Sequence, residues 1–344
     1  MAYKTNFIEI VGKMVRADYR RNVSKNGKPF LMATFTVDVE GNQIKVESMA
    51  MQYKADGVTE SSAYTGLMTI FDEGFACFKS MKDVNDEKGQ EVEIGIVENV
   101  EDCTALRFSN YNGFKYTRFE ESSYVKDGQL IKNVRIKTAY PNRVDLEKVE
   151  YKPKAEFAVA GVVSQPPVIL ERDEQEYIRM SVVLPIYQEA YKDREASVSL
   201  HEITVESRDA QTFDYIQDNF EKGCVAYLEG RLLRIVNRVE IESAMEEQTG
   251  RGFGACKLNK QQPKYKTEID EAFIIEAGYP LELEEYEDMP EFNQELWNLA
   301  KEEKAAKEQE MLEQQDKPKK VGFGRAEEKG NKGNNSSQRP ILPF

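Results

Sequence analysis

Histidine and tryptophan each occur once in these 344 residues, as His201 and Trp297, and cysteine occurs four times. Cys77, Cys103, Cys224 and Cys256 are scattered and form no CxxC pair. A zinc site wants three or four closely spaced Cys or His ligands, so no metal is expected and the thiols read as reduced and mostly buried. No run of roughly 18 or more apolar residues occurs, which excludes a membrane-spanning helix. Residues 1–6 lack the apolar core of a signal peptide, so a cytoplasmic location is expected. The glycine-rich stretches at 250–254 and 322–325 are not followed by GK[ST], and no nucleophile elbow is present. His201 lies within an alternating, strand-like stretch, where a lone histidine is a packing residue more often than a catalytic one. No catalytic residue and no cofactor are expected.

What the sequence has in excess is acid, with a formal net charge of −14. The excess is local. Residues 1–150 carry 21 basic and 23 acidic side chains, and residues 151–265 carry 15 and 19. Residues 266–316 carry 4 and 17, and residues 317–344 carry 7 and 2. The two candidate globular parts are nearly balanced, and a balanced domain can still present a basic face.

Hydrophobic patterning divides the chain into four parts. In 1–150, residues 7–15 form a strand with Gly12 at its centre, and 22–29 form a loop with an Asn-Gly turn signal. Leu31, Ala33, Phe35, Val37 and Val39 alternate with polar neighbours, so residues 30–39 bury one face. A third strand follows at 44–53, then a polar loop at 54–66. Phe71, Phe75, Phe78 and Met81 stand at helical spacing. A strand at 92–97 and an extra hairpin across 113–140, turning at Asp127-Gly128, complete this part. After a polar linker the order returns in 151–265. Strands are expected at 157–163, 177–186 and 197–205, with a Pro166-Pro167 loop between the first two. A short helix spans 209–220, Lys222-Gly223 follows, and two strands run through Val239 and Ile241. Residues 266–316 read as an acidic segment with a charged helix from Pro290, and 317–344 as a disordered tail. Three strands, a helix and two further strands are the plan of an OB barrel. The expected class is therefore mainly β, with two tandem OB-fold barrels, a C-terminal charged helix and a disordered tail. Any five-stranded antiparallel barrel is the plainer alternative.

The stretch 198–205, the short helix, and then Lys222-Gly223-Cys224-Val225-Ala226-Tyr227-Leu228-Glu229-Gly230-Arg231-Leu232 resemble the bacterial single-stranded-DNA-binding proteins. Residues 7–12 with 30–39 resemble that family's opening strands, and two such units in one chain are similar to phage-encoded members. The resemblance implies a non-enzymatic protein that coats single-stranded DNA in replication or recombination. The end of the chain, Ile341-Leu342-Pro343-Phe344, resembles the family's C-terminal tip, which docks into partner proteins. Phe344 could fill an apolar pocket while its carboxylate meets a cation. The tip departs from the family pattern, since Lys332 and Arg339 precede it where acids are usual.

Single strands are bound by aromatic side chains interleaved with cations. Three clusters fit. Lys13, Arg16, Tyr19, Arg20, Arg21, Lys25 and Lys28 surround the first loop, and Tyr19 is not required by any apolar alternation. Tyr111, Phe114, Lys115, Tyr116, Arg118 and Phe119 lie on the hairpin, where the aromatics could equally be core. Tyr177, Arg179, Tyr187, Tyr191, Lys192 and Arg194 flank the second strand of the second unit, with Tyr177 and Arg179 opposite the apolar face. The rival reading is an interaction scaffold whose acidic block repels DNA. The sequence leaves self-association open.

Overall fold

The computed structural model describes residues 6–24, 26–73, 78–85, 91–97, 103–109, 117–126, 128–139, 141–146, 150–190, 194–241 and 264–316. The first half comprises β1 (Asn6–Val23), β2 (Pro29–Val39), β3 (Asn42–Met51), α1 (Ser62–Glu73), β4 (Phe78–Asn85), β5 (Glu91–Val97), β6 (Ala105–Ser109), β7 (Thr117–Lys126), β8 (Gln129–Thr138) and β9 (Asn142–Arg143). The second comprises β10 (Lys154–Arg172), β11 (Gln175–Gln188), β12 (Ser197–Ser207), α2 (Phe213–Asn219), β13 (Val225–Ile241), β14 (Lys264–Pro280), α3 (Leu283–Tyr286) and α4 (Gln294–Asp316).

The second half closes a five-stranded barrel. β10 pairs with β11, β11 with β12, β12 in parallel with β14, β14 with β13, and β13 with β10. The helix α2 sits between the third and fourth strands. Closure with one parallel contact and that helix is the OB arrangement. Two expectations change here. The two strands expected through Ile241 are one strand, β13, which pairs with β14 from Ala226 to Ile241 past one extra residue, Glu276, on the β14 side. A Cβ on Gly230 would lie 1.9 Å from the Ile274 carbonyl oxygen, so only glycine permits this approach. The fifth strand is β14, made from residues counted above partly with the acidic segment. Pro166 and Pro167 form no separate loop, since they occupy irregularities within β10 where no ladder N–H is needed.

The first half repeats the plan with insertions. β1 pairs with β2, β2 with β3, and β3 in parallel with β8, as β12 does with β14. The expected extra hairpin is β7–β8, whose β8 lies beside β3 as β14 lies beside β12, so the β4–β5 hairpin is the addition. β5 and β6 take the edge of β1 that β13 takes on β10. Among the described residues no ladder joins β6 to β7. The helix also moves. It spans Ser62–Glu73, beginning inside the expected loop and ending where the expected helix begins, because Tyr64, Leu67, Met68 and Phe71 fall at i, i+3, i+4 and i+7 and face the core. Phe78 and Met81 instead lie on strand β4, and Phe75 lies outside the described residues.

β1 and β10 join the barrels by an antiparallel ladder in which Ile8 faces Phe157. Ile8 stands four residues before Gly12, and Phe157 four before Gly161, so equivalent residues face each other as about a two-fold axis. Gly12 and Gly161 do the same work. A Cβ on either would come within 2.5 Å of Asp38 O or 2.7 Å of Val183 O, respectively. A single apolar cluster runs through both barrels, with Phe119 of β7 edge-on to Phe157 and Phe273 at 6.1 and 5.0 Å. The C-terminal helix α4 is capped by Asn293, whose Oδ1 accepts from the amides of Glu295 and Leu296. It lays Trp297 and Ala300, with Leu296 beside them, onto Val198 and Leu200 of β12.

Candidate nucleic-acid interface

A β-bulge decides which first-loop residues reach solvent. The β1–β2 register shifts between Met14 and Arg16. Before the shift the even positions Ile8, Ile10 and Met14 are inward. After it the odd positions Ala17 and Tyr19 are. Arg16, Asp18 and Arg20 consequently line the outer face. Cross-strand register then assembles four rows across β1, β2 and β3. These are Asn22–Phe30–Met51, Arg20–Met32–Met49, Asp18–Thr34–Glu47 and Arg16–Thr36–Lys45. Met49 is 61% exposed and Met32 37%, and Arg16, Arg20 and Lys45 are exposed beside them. This face sets an exposed apolar platform beside cations, with Arg16 paired to Asp18 at 2.8 Å and Glu47 to Arg135 at 2.9 Å.

Several predicted residues stand elsewhere. Tyr19 is a core residue, 1% exposed, correcting the expectation that alternation leaves it out. Its hydroxyl donates to the Leu67 carbonyl, its ring lies 4.2 Å from that of Phe71, and burial drives its pKa far upward. Phe119 is likewise core. Tyr177, expected at the surface, is 9% exposed because the guanidiniums of Arg172 and Arg179 lie over its ring at 5.0 and 5.1 Å. Tyr187 packs against the cluster around Trp297. Arg21 pairs with Glu93, Arg118 with Glu120 at 3.0 Å, and the Lys13 ammonium lies 5.2 Å from the Tyr151 ring centre. Arg194 and Lys28 are exposed. Lys25, Tyr111, Phe114, Lys115, Tyr116, Tyr191, Lys192 and the tip at 341–344 lie outside the described residues.

The sequence reading missed Lys45, Met32, Met49 and Phe30. The signal was available. On β3, Lys45, Glu47 and Met49 alternate with Ile44, Val46 and Ala50, and a methionine on the polar side of a strand has no core to fill.

Beside this face a cleft of about 870 Å³ separates the barrels, bordered by β3 and β8 on one side and β11–β14 on the other. Its carboxylates are matched. Glu47 meets Arg135 at 2.9 Å, and Glu271 meets Arg234 at 3.2 Å. Glu206 meets Arg208 at 2.7 Å. Arg208 also holds Asp270 at 2.8 Å, and these bonds raise its pKa and lower that of Asp270. Lys45 has no ion-pair partner among the described residues. Burial, and then the nearby Arg234 charge, lower its ammonium pKa.

On the other side of β12, the Glu121 amide donates to Nδ1 of His201 at 3.0 Å. Desolvation lowers the imidazole to about 4. The Glu121 carboxylate accepts from Lys304 of α4 at 2.6 Å and from the Glu202 amide at 2.9 Å. Burial opposes its ionisation, but these bonds prevail and lower its pKa. This is a structural junction. Among the described residues no three Cys, His, Asp or Glu side chains are grouped to hold a metal, and no helix is long and apolar enough to cross a membrane.

No family model matches the chain, and no curated protein matches it. Solved structures similar to it include the wild-type single-stranded DNA binding protein from Thermus aquaticus, at 12% identity and a TM-score of 0.36. That match covers 68% of this chain and 87% of the other. The small single-stranded DNA-binding protein from Streptomyces coelicolor is 11% identical with a TM-score of 0.23, covering 38% and 96%. The Plasmodium falciparum SSB in complex with ssDNA is 15% identical with a TM-score of 0.25, covering 39% and 100%. At TM-scores this low the likeness adds nothing to the fold established by strand pairing.

Proposed function

We propose that this protein binds single-stranded DNA without catalysing a reaction, over the outer face of β1, β2 and β3. The observation that carries the reading is the open row of Arg20, Met32 and Met49 beside Arg16 and Lys45. Bases pack on Phe30, Met32 and Met49, where the thioethers are polarizable and adapt to any base. The cations follow the phosphates. Such contacts read no sequence, which suits a protein that coats and protects unwound DNA. Lys28 extends the basic margin at the β1–β2 loop. In this reading the protein serves phage replication or recombination in the host cytoplasm. Ile341, Leu342, Pro343 and Phe344, on their polar tether, recruit a protein partner.

The test is binding of labelled oligo-dT as a function of salt. Affinity should fall linearly with log salt, by about 0.7 in slope for each phosphate neutralised. A chain that fails to bind at low salt would instead be an OB-fold interaction scaffold. The −14 net charge favours that rival.

A further inference from the structure

The two barrels can be aligned residue by residue from their pairing. Gly12 lies against Val37, Asp38 and Val39, and Gly161 against Val182, Val183 and Leu184. Val37 pairs with Ile44, and Val182 with Ile203. The parallel contacts agree, since Val46 faces Ile136 and Val205 faces Phe273. Thr36 therefore corresponds to Ser181, Lys45 to Thr204, and Glu47 to Glu206. Lys45 and Glu47 of the first barrel and Ser181, Thr204 and Glu206 of the second all line the same inter-barrel cleft. The equivalent faces do not point apart; they open onto one space.

We infer that a single strand follows one continuous track over both barrels, from Met32 and Met49, past Lys45 into the cleft, and along Ser181 and Thr204. The inference rests on the proposed function and extends it. Chemistry along the cleft supports it. Glu47, Glu206 and Glu271 are each held by an arginine, so they are neutralised before a phosphate arrives. Lys45 is left over, crowded by Arg234, whose own guanidinium is fixed by Glu271 and by the Gln43 carbonyl at 3.0 Å. A phosphodiester at this point would meet the Lys45 ammonium, which has no ion pair of its own among the described residues. The exposed Thr204 hydroxyl and Asn133 amide add uncharged donors along the wall, with Ser181 buried beside them.

The experiment uses the full chain with oligo-dT of increasing length, from what one barrel covers, about 4–16 nucleotides, to about twice that. One long strand should saturate each chain. Thr204→Glu should weaken the long strand about fivefold or more, the least that one like charge met about 4 Å away exacts even in water, and leave the shortest strand bound as before. Asn133→Glu, on the exposed opposite wall, repeats the test should Thr204→Glu fail to fold. Two long strands binding independently per chain, or long-strand affinity unchanged in both variants, would overturn the single track. In that case short-strand binding, weakened by Arg20→Ala, would still stand. No binding at any length would overturn the track and the proposed function together.

Discussion

Acid should release the C-terminal helix, and one imidazole sets where. His201 accepts the Glu121 amide at Nδ1, and its Nε2 lies 3.0 Å from the Ser199 hydroxyl. A proton on Nδ1 would put N–H against N–H and break the first bond. Glu120 and Glu121 favour the proton, while Lys304 and Arg118 oppose it, and desolvation outweighs them all. The folded pKa of about 4 lies below the ordinary 6.5. The unfolded or undocked state therefore binds more protons between these values. Stability is fully present above pH 6.5 and is lost as pH falls towards 4. With about 1.4 kcal/mol per pK unit, the loss across the window is at most about 3 kcal/mol. It falls on the Glu121 junction, whose carboxylate holds Lys304 of α4. Trp297, the chain's only tryptophan and 8% exposed, reports the docking. Its emission should red-shift progressively as pH drops from 6.5 to 4. His201→Asn keeps an acceptor at the δ position but does not titrate, so the shift should then begin only where carboxylates protonate. Wild-type emission that stays constant to pH 4, or an identical profile in His201→Asn, would refute the reasoning.

Three further outcomes are expected. Gly12→Ala and Gly161→Ala should each cost about 1–3 kcal/mol in denaturant unfolding, since the neighbouring β2 and β11 carbonyls cannot yield as a side chain does. Tyr19→Phe should lose about 1 kcal/mol with its hydrogen bond to Leu67 yet leave oligo-dT affinity unchanged, because the ring is in the core. Arg20→Ala should weaken oligo-dT binding equally for all base compositions and lower the salt slope by about 0.7.

Much of the fold could be read from local pattern. The alternation at 30–39 and 177–186, the glycines at the centres of the two first strands, and the helix before Lys222-Gly223 each follow from side-chain period or from φ and contact demands. What could not be read is long-range. That the 129–138 strand pairs in parallel with β3 is a property of closure and leaves no local trace. The β14 strand was hidden by its own acids. Thr267, Glu268 and Glu276 are exposed, and among the described residues only Ala272, Ile274 and Ile275, with the half-buried Phe273, mark its buried stretch. In a charge count such a strand looks like a solvated tail.

The proposed binding face was half legible, and the dividing line is one inserted residue. Composition drew attention to the cations of β1, but a period-two reading carried past Val15 turns Tyr19 outward and Arg16 and Arg20 inward. The bulge between Met14 and Arg16 reverses which parity is inward. The arginines thereby gain the open face and the tyrosine becomes the anchor of α1, through Leu67 and Phe71. The aromatic expected to stack bases instead fixes the helix. The place left on the surface is filled by Met32, Met49 and Phe30, side chains that a search for aromatic–cation clusters passes over. A bulge here re-aims the basic side chains while keeping the core of the barrel filled, so the same insertion that hid the site from the sequence is what forms it.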